Sequence, residues 1–209
     1  MSFRLKVFLF FILLSFPLRA GEAQKVEVKD LNFSIQKPAD WYFFQDLKAP
    51  LTKEKFSIGD LLSHYGKTPV VALSKFPSDY LKDINPNVRV TLKSVDTTDP
   101  KKSVAAKDPE LLLRGMIKSL ESLLPDFKLE EEARAIDFSG NHGAFARMSY
   151  QMQLVQQGQT RANSSLWLVM PRADYAFLIS AVSRQDETNA KRADLEEIVK
   201  TIKIQALKD

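Results

Sequence analysis

From Phe127 to Ser183 the chain reads as four strands parted only by short turns. That spacing constrains the fold more than any other feature, because a parallel neighbour needs a crossover of about a dozen residues, whereas a tight turn returns the chain antiparallel. Phe127–Phe138 is predicted as the first strand and contains the acidic run Glu130-Glu131-Glu132. Gly140-Asn141-His142-Gly143 supplies a tight reversal, since Gly and Asn tolerate positive φ. Ala144–Val155 returns with Phe145, Arg147, Ser149 and Gln151 on one side and Ala146, Met148, Tyr150 and Met152 on the other. Gln156-Gln157-Gly158-Gln159 turns again, and Arg161–Met170 and Tyr175–Ser183 form a second hairpin across Pro171-Arg172-Ala173-Asp174.

Upstream, residues 25–35 read as a strand or strand pair through alternating Val26, Val28, Leu31, Phe33 and Ile35. Lys37-Pro38-Ala39-Asp40-Trp41 is a proline-opened turn, followed by the aromatics Tyr42, Phe43 and Phe44. Residues 45–67 read as a loop with one helical turn around Ile58, Leu61 and Leu62. Thr68–Phe76 and Asn87–Val95 are predicted strands, and 96–107 a solvated loop. A helix over 108–124 follows from Asp108 as cap, Pro109 at the first helical position, and an apolar face of Leu113, Met116, Ile117, Leu120 and Leu124. A closing helix carries Leu195, Ile198, Val199 and Ile202 as its stripe. Antiparallel strands with amphipathic helices that must cover them predict an α+β fold, an antiparallel β-sheet flanked by helices in an α/β/α sandwich.

The amino terminus reads as an export signal. Arg4 and Lys6 precede the apolar run Val7–Phe16, Pro17 breaks it, and small residues follow at Ala20, Gly21 and Ala23. Such a run rises only about 15–18 Å as a helix against a hydrocarbon core of roughly 30 Å, too short for an anchor. Residues 1–23 are therefore read as a cleaved signal peptide, with cleavage after Ala20 as the alternative, and 24–209 as a single domain. Location is expected to be periplasmic or secreted, with no transmembrane segment once the signal is removed. The formal net charge of +4 includes Arg4, Lys6, Arg19 and Glu22, so the mature chain carries +2, which gives no case for nucleic acid.

Composition narrows the chemistry further. The chain has no cysteine and two histidines, His64 and His142, which removes disulfide scaffolds, thiolate zinc sites and cysteine nucleophiles. Gly66-Lys67-Thr68 lacks the glycine five positions earlier that a phosphate loop requires and runs into a strand rather than a helix. No Gly-x-Ser-x-Gly elbow is present, and Glu130-Glu131-Glu132 alternates in direction along a strand, so it reads as a solvated sheet edge. No metal and no cofactor is implied.

The order of elements resembles PsbP-like and Mog-like domains. The likeness rests on an early strand followed by Pro-x-x-Trp (Phe33 to Trp41), a hairpin with glycine at its tip (Ser139 to Gly143), a long hairpin ending in Tyr175-Ala176-Phe177-Leu178-Ile179, and a closing helix with Ile198-Val199-Lys200-Thr201-Ile202. It implies an antiparallel sheet sandwiched between helices, and an accessory or binding role without catalytic residues.

The function expected is that of an exported, non-enzymatic accessory or binding protein of the bacterial envelope, acting through contacts with another protein or envelope component. Four adjacent aromatics cannot all point inward, so Trp41, Tyr42, Phe44 and, on its own strand, Trp167 are the candidate binding residues, with loop 45–67 beside them. The alternative is a carrier of a small apolar ligand, held between helix 108–124 and the sheet by Leu113, Met116, Phe145 and Trp167. A hydrolase is the remote alternative, because no general base stands near a nucleophile.

Overall fold

The structure, a computed structural model, describes residues 23–51, 57–95, 108–154 and 158–207. The residues read from the sequence as a signal, up to residue 22, and those read as a solvated loop, 96–107, lie outside the described residues. Four long strands form the predicted succession: β6 (Lys128–Phe138), β7 (Asn141–Leu154), β8 (Gly158–Met170) and β9 (Tyr175–Arg184). The turn between β6 and β7 is centred on Ser139 and Gly140, with φ of 54° and 79°, so the reversal lies slightly earlier than the Gly140–Gly143 stretch suggests. Two successive positive φ values match the right-handed twist of the flanking strands.

Three shorter strands extend the sheet: β3 (Tyr42–Phe43), β4 (Val71–Ser74) and β5 (Asn87–Ser94). The seven strands run in the order β3-β4-β5-β9-β8-β7-β6, and every neighbouring pair is antiparallel. A second sheet joins the two ends of the chain. In it β2 (Phe33–Lys37) lies between β1 (Gln24–Val28) and β10 (Lys203–Ile204).

The two faces of the large sheet differ in bulk. One carries Ala144, Ala146, Met148, Leu166, Leu168 and Ala176, and takes helix α2 (Pro109–Leu123) through Leu113 and Ile117. Asp108 caps that helix as predicted, its Oδ1 accepting from Glu110 N at 2.8 Å and Leu111 N at 3.3 Å. The opposite face carries Val88, Val90, Phe145, Trp167, Phe177 and Ile179. Against it pack the small sheet, helix α1 (Ile58–Tyr65) and helix α3 (Arg192–Lys200). The expected α+β sandwich is thus present, with helices on both faces of the sheet and α2 lying over the β6–β8 part of its face.

Helix α1 has eight residues where the sequence suggested a single turn. So short a helix is marginal by itself. It is held by a capping box, with Ser57 Oγ accepting from Asp60 N and Asp60 Oδ2 accepting from Ser57 N, and by burial of Leu61 and Tyr65. Tyr65 Oη donates to Asp30 Oδ2 at 3.0 Å, and Leu51 N donates to the same oxygen at 2.7 Å. That carboxylate therefore ties α1 to the 3-10 turn Lys29–Leu31.

The acidic run on β6 does more than face solvent. Arg147 reaches Glu131 at 2.9 Å and grips both carboxylate oxygens of Glu196 on α3 at 2.9 and 3.1 Å, while Ser165 Oγ donates to Glu196 at 3.1 Å. Arg192 on α3 donates to Glu130 at 2.8 Å. Two of the three glutamates thus fasten α3 over the far strands.

Leu113→Ala should cost about 2–5 kcal/mol in chemical denaturation, because it empties a closed interface. Leu111→Ala, half-exposed on the same helix, should shift stability by under about 0.5 kcal/mol. Equal effects would contradict the face assignment. A second expectation concerns alkaline pH. Burial, then the hydrogen bond and charge of Asp30, push the Tyr65 phenol well above its ordinary value of about 10. A phenol raised on folding contributes stability that is complete below about pH 10 and is lost as pH climbs through the raised value. Tyr65→Phe should lose about 1–2 kcal/mol near neutrality and then lose less than the wild type between about pH 10 and 12. Parallel pH curves would refute this role.

Candidate functional site

The segment joining β2 to β4 builds the candidate site. Trp41 N donates to Pro38 O at 3.2 Å, closing the proline turn. The Lys37 ammonium is buried beneath it and donates to Pro38 O at 3.0 Å and Trp41 O at 2.8 Å. A charged donor on two carbonyls is among the stronger hydrogen-bond arrangements, so the turn is held from below. Past it the chain is extended, and side chains alternate. Trp41 is buried, Tyr42 is exposed, Phe43 packs on the core shared with α3, and Phe44 returns to the side of Tyr42.

On the Trp41 side the turn faces α3 across an open groove of about 580 Å³. Pro38, Trp41, Ala190 and Ile198 give it apolar surface. Its rim is charged: Asp40 pairs with Lys75 on one side, and Asp194 and Glu197 of α3 stand on the other. The hydrogen bond from Lys75 holds the Asp40 carboxyl below the usual carboxylate range. Thr201 closes one end, accepting from Gln36 N at 3.0 Å and donating to Ile198 O at 2.7 Å.

On the opposite side, the Arg89 guanidinium of β5 lies 4.9 Å from the centre of the Phe44 ring. Its buried Nε has no hydrogen-bond partner among the described residues. A buried donor left unmade costs about 1–3 kcal/mol.

The predicted residues therefore separate. Trp41 is a core side chain whose edge lines the groove, whereas Tyr42 and Phe44 belong to the other face. Trp167 is buried on β8, its ring centre 5.0 Å from that of Phe145. It offers no surface to a partner. The proposed carrier pocket does not form from its four residues, because Leu113 and Met116 lie on the α2 side while Phe145 and Trp167 point to the other face. The strand period of two separates them, and Leu113 is packed tight among small aliphatic residues. The described parts of loop 45–67 lie around α1. There His64 Nε2 stands 3.0 Å from Ala49 O, while residues 52–56 fall outside the described residues. Among the described residues no group of three or more His, Asp or Glu is arranged to hold a metal ion.

Sequence reasoning missed Lys75, Asp194 and Glu197 of the groove and Arg89 of the other face. For Arg89 a signal existed: Arg89, Thr91 and Lys93 alternate with Val88, Val90 and Leu92. A charge at mid-strand in such a pattern marks a face that the core does not cover. The groove residues come from segments far apart in sequence and gave no local signal.

No protein-family model matches the chain, and no curated protein does so. Solved structures do. LpqN of Mycobacterium tuberculosis is 16% identical, with 88% of this chain and 91% of that one covered and a TM-score of 0.51. The cyanobacterial PsbP of Synechocystis sp. PCC 6803 is 11% identical over 87% and 91%, with a TM-score of 0.48. The Ran-binding protein Mog1p of Saccharomyces cerevisiae is 10% identical over 88% and 96%, with a TM-score of 0.47. PsbP and Mog1 stand among the structural neighbours, and at 16% identity the LpqN match is a likeness of fold, an α+β sandwich.

Proposed function

We propose that this chain is a non-enzymatic binding protein that holds a segment of another protein in the groove between the Pro38–Trp41 turn and α3. The groove itself carries the reading. Its volume is in the range of binding sites, its surface mixes tryptophan and aliphatic groups with a few fixed charges, and its open form suits a passing segment better than an enclosed small molecule. Charges of both signs on the rim set register and orientation for such a segment rather than bulk affinity. The proposed place of action is the bacterial envelope, on the strength of the basic-apolar-small pattern of residues 4–23. LpqN, the neighbour with the same fold, is involved in cell envelope biogenesis, which is compatible with that placement.

A photo-reactive side chain at Glu197 or Gln36, introduced into the full chain expressed from its own amino terminus, should give one discrete protein adduct. Leu123, exposed on α2 across the sheet, should give none at the same position on a gel. Adducts common to all three positions, or none from the groove, would remove the groove from the mechanism. The mass of the recovered chain tests export separately, through a start at Gln24 or Gly21. Lys37→Met should cost about 1.5–3 kcal/mol and red-shift Trp41 emission in a Trp167→Phe background, since the turn loses its buried donor. Unchanged emission would show that the turn stands without it.

A further inference from the structure

Strand β5 turns Val88, Val90 and Leu92 to the core and Arg89 to the opposite face. In register, Arg89 stands between Ala72 on β4 and Ser180 on β9, both small. Helix α2 packs on β6, β7 and β8, two strands away. Arg89 rises from this stretch over the Phe44 ring, with the half-exposed Tyr42 on the same side of β3. Among the described residues it makes no ion pair and no hydrogen bond. The charged residue that shares its side of β9, Arg184, is already engaged by Asp83 at 2.7 Å and Asp186 at 2.9 Å.

We propose that this face is a docking site for an acidic residue of a partner protein, its carboxylate taken by Arg89 and its apolar neighbour packed on Phe44 and Tyr42. A guanidinium keeps its charge at any accessible pH, and half-burying it without a counter-ion is unfavourable unless a counter-ion arrives. Phe44 lies on one side of the group and its Nε–H is buried, which leaves the two terminal nitrogens to fork onto a carboxylate. A single guanidinium matches a single negative charge. An exposed tyrosine, a phenylalanine beside the guanidinium and an arginine without an ion pair among the described residues, on the part of the face that α2 does not contact, make the composition found at the centre of protein interfaces, whereas a small anion would be enclosed. The site is separate from the groove, since Tyr42 and Phe44 point away from Trp41.

The test follows the Arg89 Nε–H resonance by NMR in the mature chain. The probe is an acetylated, amidated tripeptide with glutamate between two phenylalanines. Saturable shifts of Arg89 and of the β3–β5 amides are expected, with at least tenfold weaker binding when glutamine replaces the glutamate. Arg89→Gln should abolish the response, Arg89→Lys should weaken it, and Arg89→Leu should melt close to the wild type, because removing the unmade buried Nε–H offsets the lost contact with Phe44. Equal response to the glutamine peptide, or no response to the acidic one, overturns the proposal. So does decanoate or inorganic phosphate binding at Arg89 as tightly as the peptide, which would make the ligand a lipid or phosphate anion. A clear loss of melting temperature in Arg89→Leu would likewise overturn it, by exposing a structural partner for the guanidinium.

Discussion

Everything in this fold depends on the alternation of small and bulky side chains along β7, β8 and β9. Ala144, Ala146 and Ala176 keep one face low, and α2 settles directly on it through Leu113 and Ile117. Phe145, Trp167, Tyr175 and Phe177 make the other face tall, and the thicker layer there is filled by α1, α3 and the small sheet. A sheet buried on both sides must match each face to a different cover. A slip of one residue in register would bring the aromatics under α2 and the alanines under the thick layer, leaving the first overpacked and the second hollow.

The thick layer in turn positions the groove. Apolar contact through Leu195, Ile198 and Val199 holds α3 down, but a buried stripe alone leaves a helix some freedom to slide. The Arg147 fork on Glu196, Ser165 on the same carboxylate, and Arg192 on Glu130 fix where it lies. Half-buried ion pairs add little net stability, because desolvation offsets most of the attraction. Their contribution here is placement. They set the wall that faces Trp41, and Lys37 sets the opposing turn, so both sides of the groove are held by charged hydrogen bonds to fixed partners.

What was legible in the sequence was what is decided locally. The β6–β9 succession, the Asp108-Pro109 start of α2 and the two alternating sets on β7 all follow from turn chemistry, capping and strand period. Which set faces which helix is decided by packing between segments distant in sequence, so Leu113 and Trp167 do not share the pocket their apolar character suggests, because the sheet separates them. Helix α1 was underestimated because eight residues with Gly59 in the first turn have weak intrinsic preference, and the helix exists through Tyr65 and its bond to Asp30. Strand β10 has two residues and is defined only by its pairing with β2. The groove draws on residues 36–41, 75 and 189–201, and no window of the sequence contains it.

The aromatic run was the one local feature that pointed to function, and its meaning lies in its alternation. Trp41 and Phe43 go to one side of the sheet and Tyr42 and Phe44 to the other, so a four-residue segment serves two surfaces placed back to back. Each surface has an anchor of its own. The Lys37 ammonium holds the turn on the groove side, and Arg89 lies on Phe44 on the other, a cation–π contact worth about 0.5–1 kcal/mol where it is partly exposed. Between them β3 is pinned to β4 by the Tyr42–Ser74 and Phe43–Leu73 pairs and by Phe44 N on Ala72 O at 2.9 Å. A strand fixed at its start, middle and end presents both sets of side chains in set directions, so a contact made on either side would need little further ordering of the segment.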